Sequence, residues 1–255
     1  MNLLNLSKGA NLLFMYRLNA NGLNKMPKEF SPKNSTEAYY IQEELKKLYL
    51  NLKDNYIIGK KIGCTNKKAQ KQVNVLEPFY GNLFSKYSGI SGCKLSSKNF
   101  FKPYLEPEFS FRIKSDIDIS KAPYKLDQII DFVDTVIPSI EIVDFRFKQS
   151  LKNIGINNLI ASNGASEYWI KGKKEFKINK IDLTNHNVEV YINNQLFEKG
   201  NASNVLGNPL NSLLWLINTL ASKNETLLKN YIISTGTSTS AIPIKKGYNV
   251  EAKFG

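Results

Sequence analysis

Leu-Glu-Pro-Glu-Phe-Ser-Phe, residues 105–111, decides the fold of this chain together with the apolar run Ile-Pro-Ser-Ile-Glu-Ile-Val at residues 137–143. Both stretches are rich in aromatic or β-branched residues and are predicted to be strands. Because side chains alternate across a strand, Glu106 and Glu108 point to one face, which Glu141 can complete. Three buried carboxylates repel one another unless a cation neutralises them, and oxygen-only ligands suit Mg²⁺ or Mn²⁺. The alternative is that Glu106 and Glu108 lie on the solvated face of an edge strand.

The formal net charge of +13 suggests nucleic-acid binding, but the distribution of the charge argues against it. Only three of the 35 basic residues are arginines, and the lysines are scattered in ones and twos. No segment interleaves aromatic residues with arginine as single-strand binders do. Abundant lysine and asparagine with little arginine is typical of an AT-rich genome. We therefore predict no nucleic-acid partner, and no membrane partner because no apolar run approaches the roughly 20 residues that span a bilayer.

Cysteine and histidine are both scarce, and this excludes several classes of enzyme. Two cysteines, Cys64 and Cys93, make no disulfide framework, and no signal peptide is recognisable, which favours the reducing cytoplasm. The one histidine, His186, is expected in a solvated turn. Mechanisms that need a catalytic histidine are therefore excluded. Proton transfer must come from Lys, Glu, Asp or metal-bound water.

Periodicity along the whole chain predicts a mostly antiparallel or rolled β core with flanking helices, because strands dominate and few βαβ alternations occur. No GxGxxG or P-loop segment is present. Helices are expected at residues 12–18, 35–52, 125–136 and 209–222, with shorter ones after Thr65 and within residues 149–160. Strands are expected at residues 55–63, 90–111, 137–143, 167–170, 178–197, 231–235 and 248–254, and turns at residues 78–83 and Asn193-Asn194.

Six short blocks in chain order share the pattern of one enzyme family. They are Ala-Tyr-Tyr-Ile-Gln at residues 38–42, Gly-Lys-Lys-Ile-Gly-Cys-Thr at 59–65, Leu-Glu-Pro-Glu-Phe at 105–109, Pro-Ser-Ile-Glu-Ile-Val-Asp-Phe-Arg at 138–146, the Gly-Asn-Ala, Leu-Gly-Asn-Pro-Leu and Trp-Leu segments within 200–216, and Thr-Gly-Thr at 235–237. The set resembles the hydratase/decarboxylase branch of the fumarylacetoacetate hydrolase superfamily. The matches are collinear over residues 30–255 and are specific when taken together.

The resemblance implies an α+β, mostly β fold, a rolled β-sandwich like the C-terminal domain of fumarylacetoacetase, with flanking helices and a small helical N-terminal part. We place a helical segment at residues 1–55, packed on a metal-binding β-roll at residues 56–255. The resemblance also implies that Mg²⁺ or Mn²⁺ is held by three ligands: Glu106, Glu108 and Glu141. Lys61 would be the active-site lysine; in the alternative readings it is a surface lysine, or Lys60 takes its place.

Substrate contacts are implied for Thr65, Arg146, Ser166 and Thr237. Arg146 is one of only three arginines in a lysine-rich chain. A bidentate fork to a carboxylate, either Asp144 or the substrate, is a physical reason to keep arginine there. The equal alternative is a salt bridge of Arg146 that braces the strand end.

The resemblance further implies a Mg²⁺-dependent lyase that acts on a small 2-oxo or 2-hydroxydienoic acid in aromatic compound catabolism. Our first prediction is hydration of 2-hydroxypenta-2,4-dienoate (2-keto-4-pentenoate) to 4-hydroxy-2-oxopentanoate through a metal-stabilised enolate. The alternatives are decarboxylation of 2-oxo-3-hexenedioate (4-oxalocrotonate), hydrolysis of an acylpyruvate, and a non-catalytic partner subunit. The family suggests a homo-oligomer or a complex with a sister decarboxylase or hydratase.

Three places depart from the family pattern. The turn Pro-Phe-Tyr-Gly at residues 78–81 lacks an acid after the proline, Asp-Ser-Arg has become Asp-Phe-Arg at 144–146, and Asp-Asn-Ala-Ser-Ser has become Ser-Asn-Gly-Ala-Ser at 162–166. The first and third changes remove groups that position water or protons, so they weigh against efficient hydration but not against metal binding. The lost acid at Phe79 also supports the non-catalytic alternative, which exposed Phe79 or Phe145 side chains would favour.

Overall fold

The computed structural model describes residues 2–255 and shows helices arranged around one large sheet. The α-helices are α1 (Leu3–Leu18), α2 (Ser35–Leu50), α3 (Lys67–Val73), α4 (Leu126–Ile129), α5 (Leu151–Ile154), α6 (Ile156–Ala161) and α7 (Pro209–Ala221). The strands are β1 (Ile57–Gly63), β2 (Phe79–Phe84), β3 (Ser88–Ile90), β4 (Pro103–Ile113), β5 (Val133–Asp144), β6 (Ser166–Lys171), β7 (Phe176–Lys177), β8 (Asn187–Ile192), β9 (Gln195–Asn201), β10 (Ile232–Thr237), β11 (Ile242–Pro243) and β12 (Val250–Phe254). This content confirms the predicted α+β, mostly β fold class. None of the helices in residues 2–255 has both the length and the hydropathy to cross a bilayer.

The large sheet has nine strands, with the order β2-β1-β10-β4-β5-β6-β3 and with β11 and β7 paired to β4 and β5 respectively. Two of its pairs, β1 with β10 and β3 with β6, are parallel, and the others are antiparallel. At its centre β4 and β5 pair from Pro103 opposite Asp144 to Ile113 opposite Val133. The mostly antiparallel core is the one predicted from the sequence.

The two faces of the large sheet differ in chemistry because side chains alternate along each strand. On one face, Phe111 of β4 and Ile233 of β10 join Leu213 and Leu216 of α7 in a single buried cluster. Apolar residues three and four apart give α7 the continuous buried side that this packing needs. The other face carries a row of polar side chains near its centre, and the candidate site lies there.

A smaller sheet has the strand order β12-β8-β9. Its β8 and β9 are joined at Asn193 and Asn194, and both residues have positive φ angles of 52° and 67°. Two central residues with positive φ are what a tight two-residue hairpin turn requires, and asparagine tolerates that region. The predicted Asn193-Asn194 turn is confirmed.

The N-terminal helices α1 and α2 pack on the core through apolar side chains such as Leu13 and Ile41. Arg17, near the end of α1, is buried and forms a second attachment. Its guanidinium donates hydrogen bonds to the carbonyls of Ser166 at 2.5 Å and Glu167 at 2.7 Å, and lies 3.4 Å from the Glu167 carboxylate. The helical segment therefore depends on one buried cation as well as on apolar contacts. The division near residue 55 stays a prediction.

Two of the predicted elements are wrong. The predicted turn at residues 78–83 is strand β2, in which every residue is buried and pairs with β1. The predicted helix at residues 125–136 is too long: α4 ends at Ile129, a 3-10 turn follows to Phe132, and strand β5 begins at Val133. In both places pairing with a neighbouring strand decides the outcome, and the local periodicity of the sequence does not contain that information.

Two further predicted strands are shorter than expected. The strand predicted over residues 90–111 is interrupted by a loop at residues 91–102, and the one predicted over residues 178–197 begins at Asn187. Apolar residues of these segments, such as Phe100 and Leu183, lie in loops and pack against residues of the sheet. Helix α7 lies where it was predicted, and the strand predicted over residues 137–143 lies within β5, which begins four residues earlier at Val133.

Replacing Arg17 with alanine tests the attachment of α1. We expect the free energy of unfolding to fall by about 3 kcal/mol, because Glu167 loses one of its two buried cationic partners and two buried carbonyls lose their donors. Lys8→Ala is the matched control, since Lys8 is an exposed cation on the same helix and its loss is expected to change stability by less than about 0.5 kcal/mol. Urea denaturation measures both variants; equal effects would contradict the assignment.

Candidate metal centre

Three carboxylates meet on the polar face of the sheet. Glu106 of β4 lies directly opposite Glu141 of β5, and Glu108 lies opposite Ser139, so the register of one antiparallel pair places all three on one face. One oxygen of each carboxylate lies within 4.8 Å of the others. Glu108 and Glu141 are fully buried, and Glu106 is half-buried. The alternative of a solvated edge strand is therefore wrong, because β4 lies in the middle of the sheet.

The electrostatics of this cluster are unfavourable without a cation. Burial, opposed by the Lys61 ammonium and reinforced by Glu141, raises the pKa of Glu106 to about 7. Burial and the neighbouring Glu141 raise the pKa of Glu108 well above its ordinary value. Glu108 Oε1 and Glu141 Oε1 are buried and have no hydrogen-bond partner among residues 2–255. Unpartnered buried carboxylate oxygens that face one another fit a hard divalent cation such as Mg²⁺.

Lys61 of β1 lies at the cluster, and Lys60 does not. Lys61 Nζ is 3.0 Å from Glu141 Oε2, and both side chains are buried. Lys60 points to the opposite face, where its Nζ lies 3.2 Å from Asn82 Oδ1 and 3.4 Å from Glu225 Oε2. Burial alone would lower the pKa of Lys61, but Glu141, Glu106 and Glu108 outweigh burial and raise it. Lys61 is thus a protonated, buried ammonium that partly neutralises the carboxylates.

The end of β10 supports Glu108. Ser234 Oγ donates to Glu108 Oε2 at 2.6 Å, and the Gly236 N–H donates to the same oxygen at 2.9 Å. Gly236 has a φ of +107°, and a Cβ there would lie 1.8 Å from Thr65 Oγ1, so only glycine fits. Ser234 was not predicted from the sequence; its only signal there is a position on the polar face, two residues before Gly236.

A cavity of about 800 Å³ opens beside the carboxylates. Lys61, Glu106, Thr65 and Thr237 line it, so four of the eight residues predicted from the sequence border one space. Glu108 and Glu141 are not among the lining residues, but one oxygen of each lies within 4.8 Å of an oxygen of Glu106, which is. The remaining walls mix apolar and polar side chains, among them Cys64, Phe79, Tyr104, Val143, Phe145 and Glu198. Burial raises the pKa of the Cys64 thiol to about 12, so it is not a ready nucleophile.

Arg146 and Ser166, which we expected to contact substrate, do not line this cavity. They border a separate void of about 10 Å³ together with Glu167. Arg146 Nη2 lies 2.7 Å from Glu167 Oε1 and donates to the Asn99 carbonyl at 2.7 Å, while its Nε is 3.7 Å from Asp144 Oδ2. These contacts correct the expectation: Arg146 braces the end of β5, as the salt-bridge alternative held.

Phe79 lies in the wall of the cavity. Its side chain is buried, and Lys61 Nζ lies 5.8 Å from the centre of its ring. An apolar ring therefore stands beside the lysine where the family pattern has an acid. Phe145 is half-buried and packs edge-on against Tyr104 at 5.8 Å. Neither ring forms the exposed aromatic surface that would favour the non-catalytic alternative.

His186 lies away from these residues, in the loop before β8. Its half-buried ring packs edge-on against Phe109, with ring centres 5.6 Å apart, on the apolar side of the sheet. The expected position in a loop is correct, although the ring is less solvated than predicted. No histidine lines the cavity.

Proteins that are similar to this chain in sequence and proteins that are similar to it in structure bear related enzyme names. The 2-keto-4-pentenoate hydratase 1 of Dechloromonas aromatica is 28% identical over 210 residues, 82% of this chain and 78% of that protein. The 4-oxalocrotonate decarboxylase of Pseudomonas putida G7, solved with magnesium and adipate and also with calcium and acetate, is 26% identical, with a TM-score of 0.91 over 100% of this chain and 95% of its own. A yeast fumarylacetoacetate hydrolase family protein, 14% identical over 76% of this chain and 85% of its own with a TM-score of 0.53, shares the fold alone. No protein-family model matches the chain.

Replacing Glu108 with glutamine tests the cluster as a metal site. We expect Mn²⁺ affinity to fall by more than the roughly 10–100-fold cost of changing an outer partner of a ligand. The fold should persist, because the amide keeps the volume and removes a buried charge. Calorimetric titration with Mn²⁺ and circular dichroism measure the two effects. The cavity-lining Glu198→Gln is the control, and equal Mn²⁺ affinity in both variants would refute the assignment.

Proposed function

Since this chain belongs to the hydratase/decarboxylase branch of the fumarylacetoacetate hydrolase superfamily, we propose that it is a divalent-metal-dependent lyase acting on a small 2-oxo acid. The observation that carries the proposal is the cluster of Glu106, Glu108 and Glu141 in contact with Lys61 beside a cavity. This combination offers a cation site and a proton-bearing group within one substrate-sized space.

Glu106, Glu108 and Glu141 would hold Mg²⁺ or Mn²⁺, and their buried, unpartnered oxygens fit such an ion. When bound, the ion supplies Lewis-acid stabilisation of negative charge that develops on the 2-oxo oxygen of the substrate. The similarity to a decarboxylase solved with magnesium supports this choice of ion.

Lys61 holds the mobile proton of the site. Its ammonium is fixed 3.0 Å from Glu141 and faces the cavity, so it can donate from Nζ to an oxygen of a substrate seated against the carboxylates. Thr65 and Thr237 present hydroxyls to the same cavity and can hold a substrate carboxylate. Phe79 and Val143 form an apolar part of the cavity wall and exclude water from Lys61.

Phe79 favours decarboxylation of a 2-oxo-3-enedioate such as 2-oxo-3-hexenedioate. In that reaction the bond from C5 to the C6 carboxylate breaks, CO₂ leaves, and the electron pair passes through the conjugated chain to the 2-oxo oxygen. That oxygen takes up one proton to give 2-hydroxypenta-2,4-dienoate. No base is needed to activate water, so an apolar ring in place of the family's acid is compatible with the chemistry. Lys61, which lines the cavity, supplies this proton.

Hydration of 2-hydroxypenta-2,4-dienoate, our first prediction from the sequence, is the second candidate. The similarity to the Dechloromonas aromatica hydratase favours it. Water addition needs a group that orients or deprotonates water, and Glu198 and Tyr104 are two polar wall residues that can do so. Acylpyruvate hydrolysis, a non-catalytic role, self-association, a sister-enzyme complex and a cytoplasmic location stay predictions.

The test follows the ultraviolet absorbance of each substrate with the purified protein, with and without Mg²⁺. We expect Mg²⁺-dependent conversion of 2-oxo-3-hexenedioate with release of CO₂; loss of 2-hydroxypenta-2,4-dienoate without CO₂ would identify the hydratase instead. Lys61→Ala should lower kcat by roughly 10²–10⁴-fold, the usual contribution of a positioned proton donor. Lys60→Ala is the matched control, because Lys60 lies on the opposite face of the sheet. Turnover of neither substrate, or equal losses in the two variants, would contradict the proposal.

A further inference from the structure

Three serines form a buried row behind Glu108, on the face of the sheet that carries the carboxylates. Ser110 of β4, Ser139 of β5 and Ser234 of β10 are at most 2% exposed. The register places Ser234 opposite Ser110. Interior strand positions usually hold apolar side chains, and buried hydroxyls are costly unless they are hydrogen-bonded. The role of this row is not explained by packing alone.

The hydroxyls are joined to one another and to Glu108. Ser110 Oγ lies 3.1 Å from Ser234 Oγ and 2.7 Å from Ser139 Oγ, and it accepts a hydrogen bond from Trp169 Nε1 at 3.3 Å. Ser139 Oγ donates to the Glu108 backbone carbonyl at 3.0 Å, and Ser234 Oγ donates to Glu108 Oε2 at 2.6 Å. Both the backbone and the side chain of Glu108 are therefore held by the row.

The two oxygens of Glu108 are not equivalent. Oε2 accepts two hydrogen bonds, from Ser234 Oγ and from the Gly236 N–H, and a carboxylate oxygen has two lone pairs to accept with. Oε1 is buried, and no group in the described part of the chain forms a hydrogen bond with it. Only Oε1 is free to reach a cation, so the hydrogen bonds make Glu108 a ligand through a single oxygen.

We propose that Ser234, supported by Ser110, is a positioning residue that makes Glu108 a one-oxygen ligand and so favours Mg²⁺ over Ca²⁺. This inference rests on the carboxylate metal site of the proposed function. Mg²⁺ takes six ligands in a near-ideal octahedron, whereas Ca²⁺ takes six to eight oxygens and often binds both oxygens of a carboxylate. Withholding the second oxygen of Glu108 costs Ca²⁺ a ligand that Mg²⁺ does not use.

The test compares Mg²⁺ and Ca²⁺ affinities of the full-length protein by calorimetric titration with each chloride salt. In Ser234→Ala we expect Mg²⁺ affinity to fall about tenfold, the scale of losing an outer partner of a ligand. Ca²⁺ affinity should fall less, because the released Oε2 becomes available to it, so the ratio of the two dissociation constants shifts toward Ca²⁺. Ser212→Ala is the control: Ser212 is as buried, donates to the Thr235 carbonyl, and does not touch Glu108.

A proportional loss of both affinities in Ser234→Ala, or an equal change in Ser212→Ala, would overturn the role of Ser234 and leave the metal site standing. A wild-type protein that binds neither ion would overturn the metal site itself and this inference with it. Should Ser234→Ala fail to fold, Ser110→Ala decides the matter. It removes the hydroxyl behind Ser234 and should shift the ratio in the same direction by a smaller factor, whereas an unchanged ratio would contradict the proposal.

Discussion

Mutual repulsion among three clustered carboxylates, two of them fully buried, is the constraint on which the rest of this structure depends. The pairing of β4 with β5 brings Glu106, Glu108 and Glu141 within 4.8 Å of one another. One ammonium, that of Lys61, cannot neutralise three negative charges in a site with little water. Burial and the neighbouring carboxylate charges raise the pKa values of Glu106 and Glu108, so protonation is one way to relieve the repulsion. A divalent cation relieves it while keeping the carboxylates ionised.

The unequal faces of the sheet make such a site possible. Burial of Phe111 and Ile233 against α7 stabilises one face through the hydrophobic effect. That leaves the opposite face free to carry Lys61, the serines and the carboxylates near the sheet centre, where main-chain pairing on both sides keeps each strand rigid. A site on central strands is held more precisely than one on loops.

The sequence predicted this centre well because alternation along a strand has a period of two. Glu106 and Glu108 had to share a face, and the position of Lys61 rather than Lys60 follows from the same alternation once β1 is placed beside β10. Alternation does not say which strands are neighbours. The hydrogen bond of Ser234 to Glu108 therefore could not be predicted from the sequence. For the same reason residues 78–83 were predicted to be a turn, although pairing with β1 makes them a strand.

At Arg146 the prediction from strand alternation fails. It lies beyond the end of β5 with a φ of 53°, so alternation no longer governs its direction, and its guanidinium enters the ion pairs of Glu167 instead of the cavity. The most direct test of the central claim is an anomalous difference map from crystals grown with Mn²⁺. We expect one strong peak bounded by Glu106, Glu108 and Glu141; a map without a peak there, with Lys61 still paired to Glu141, would contradict the account.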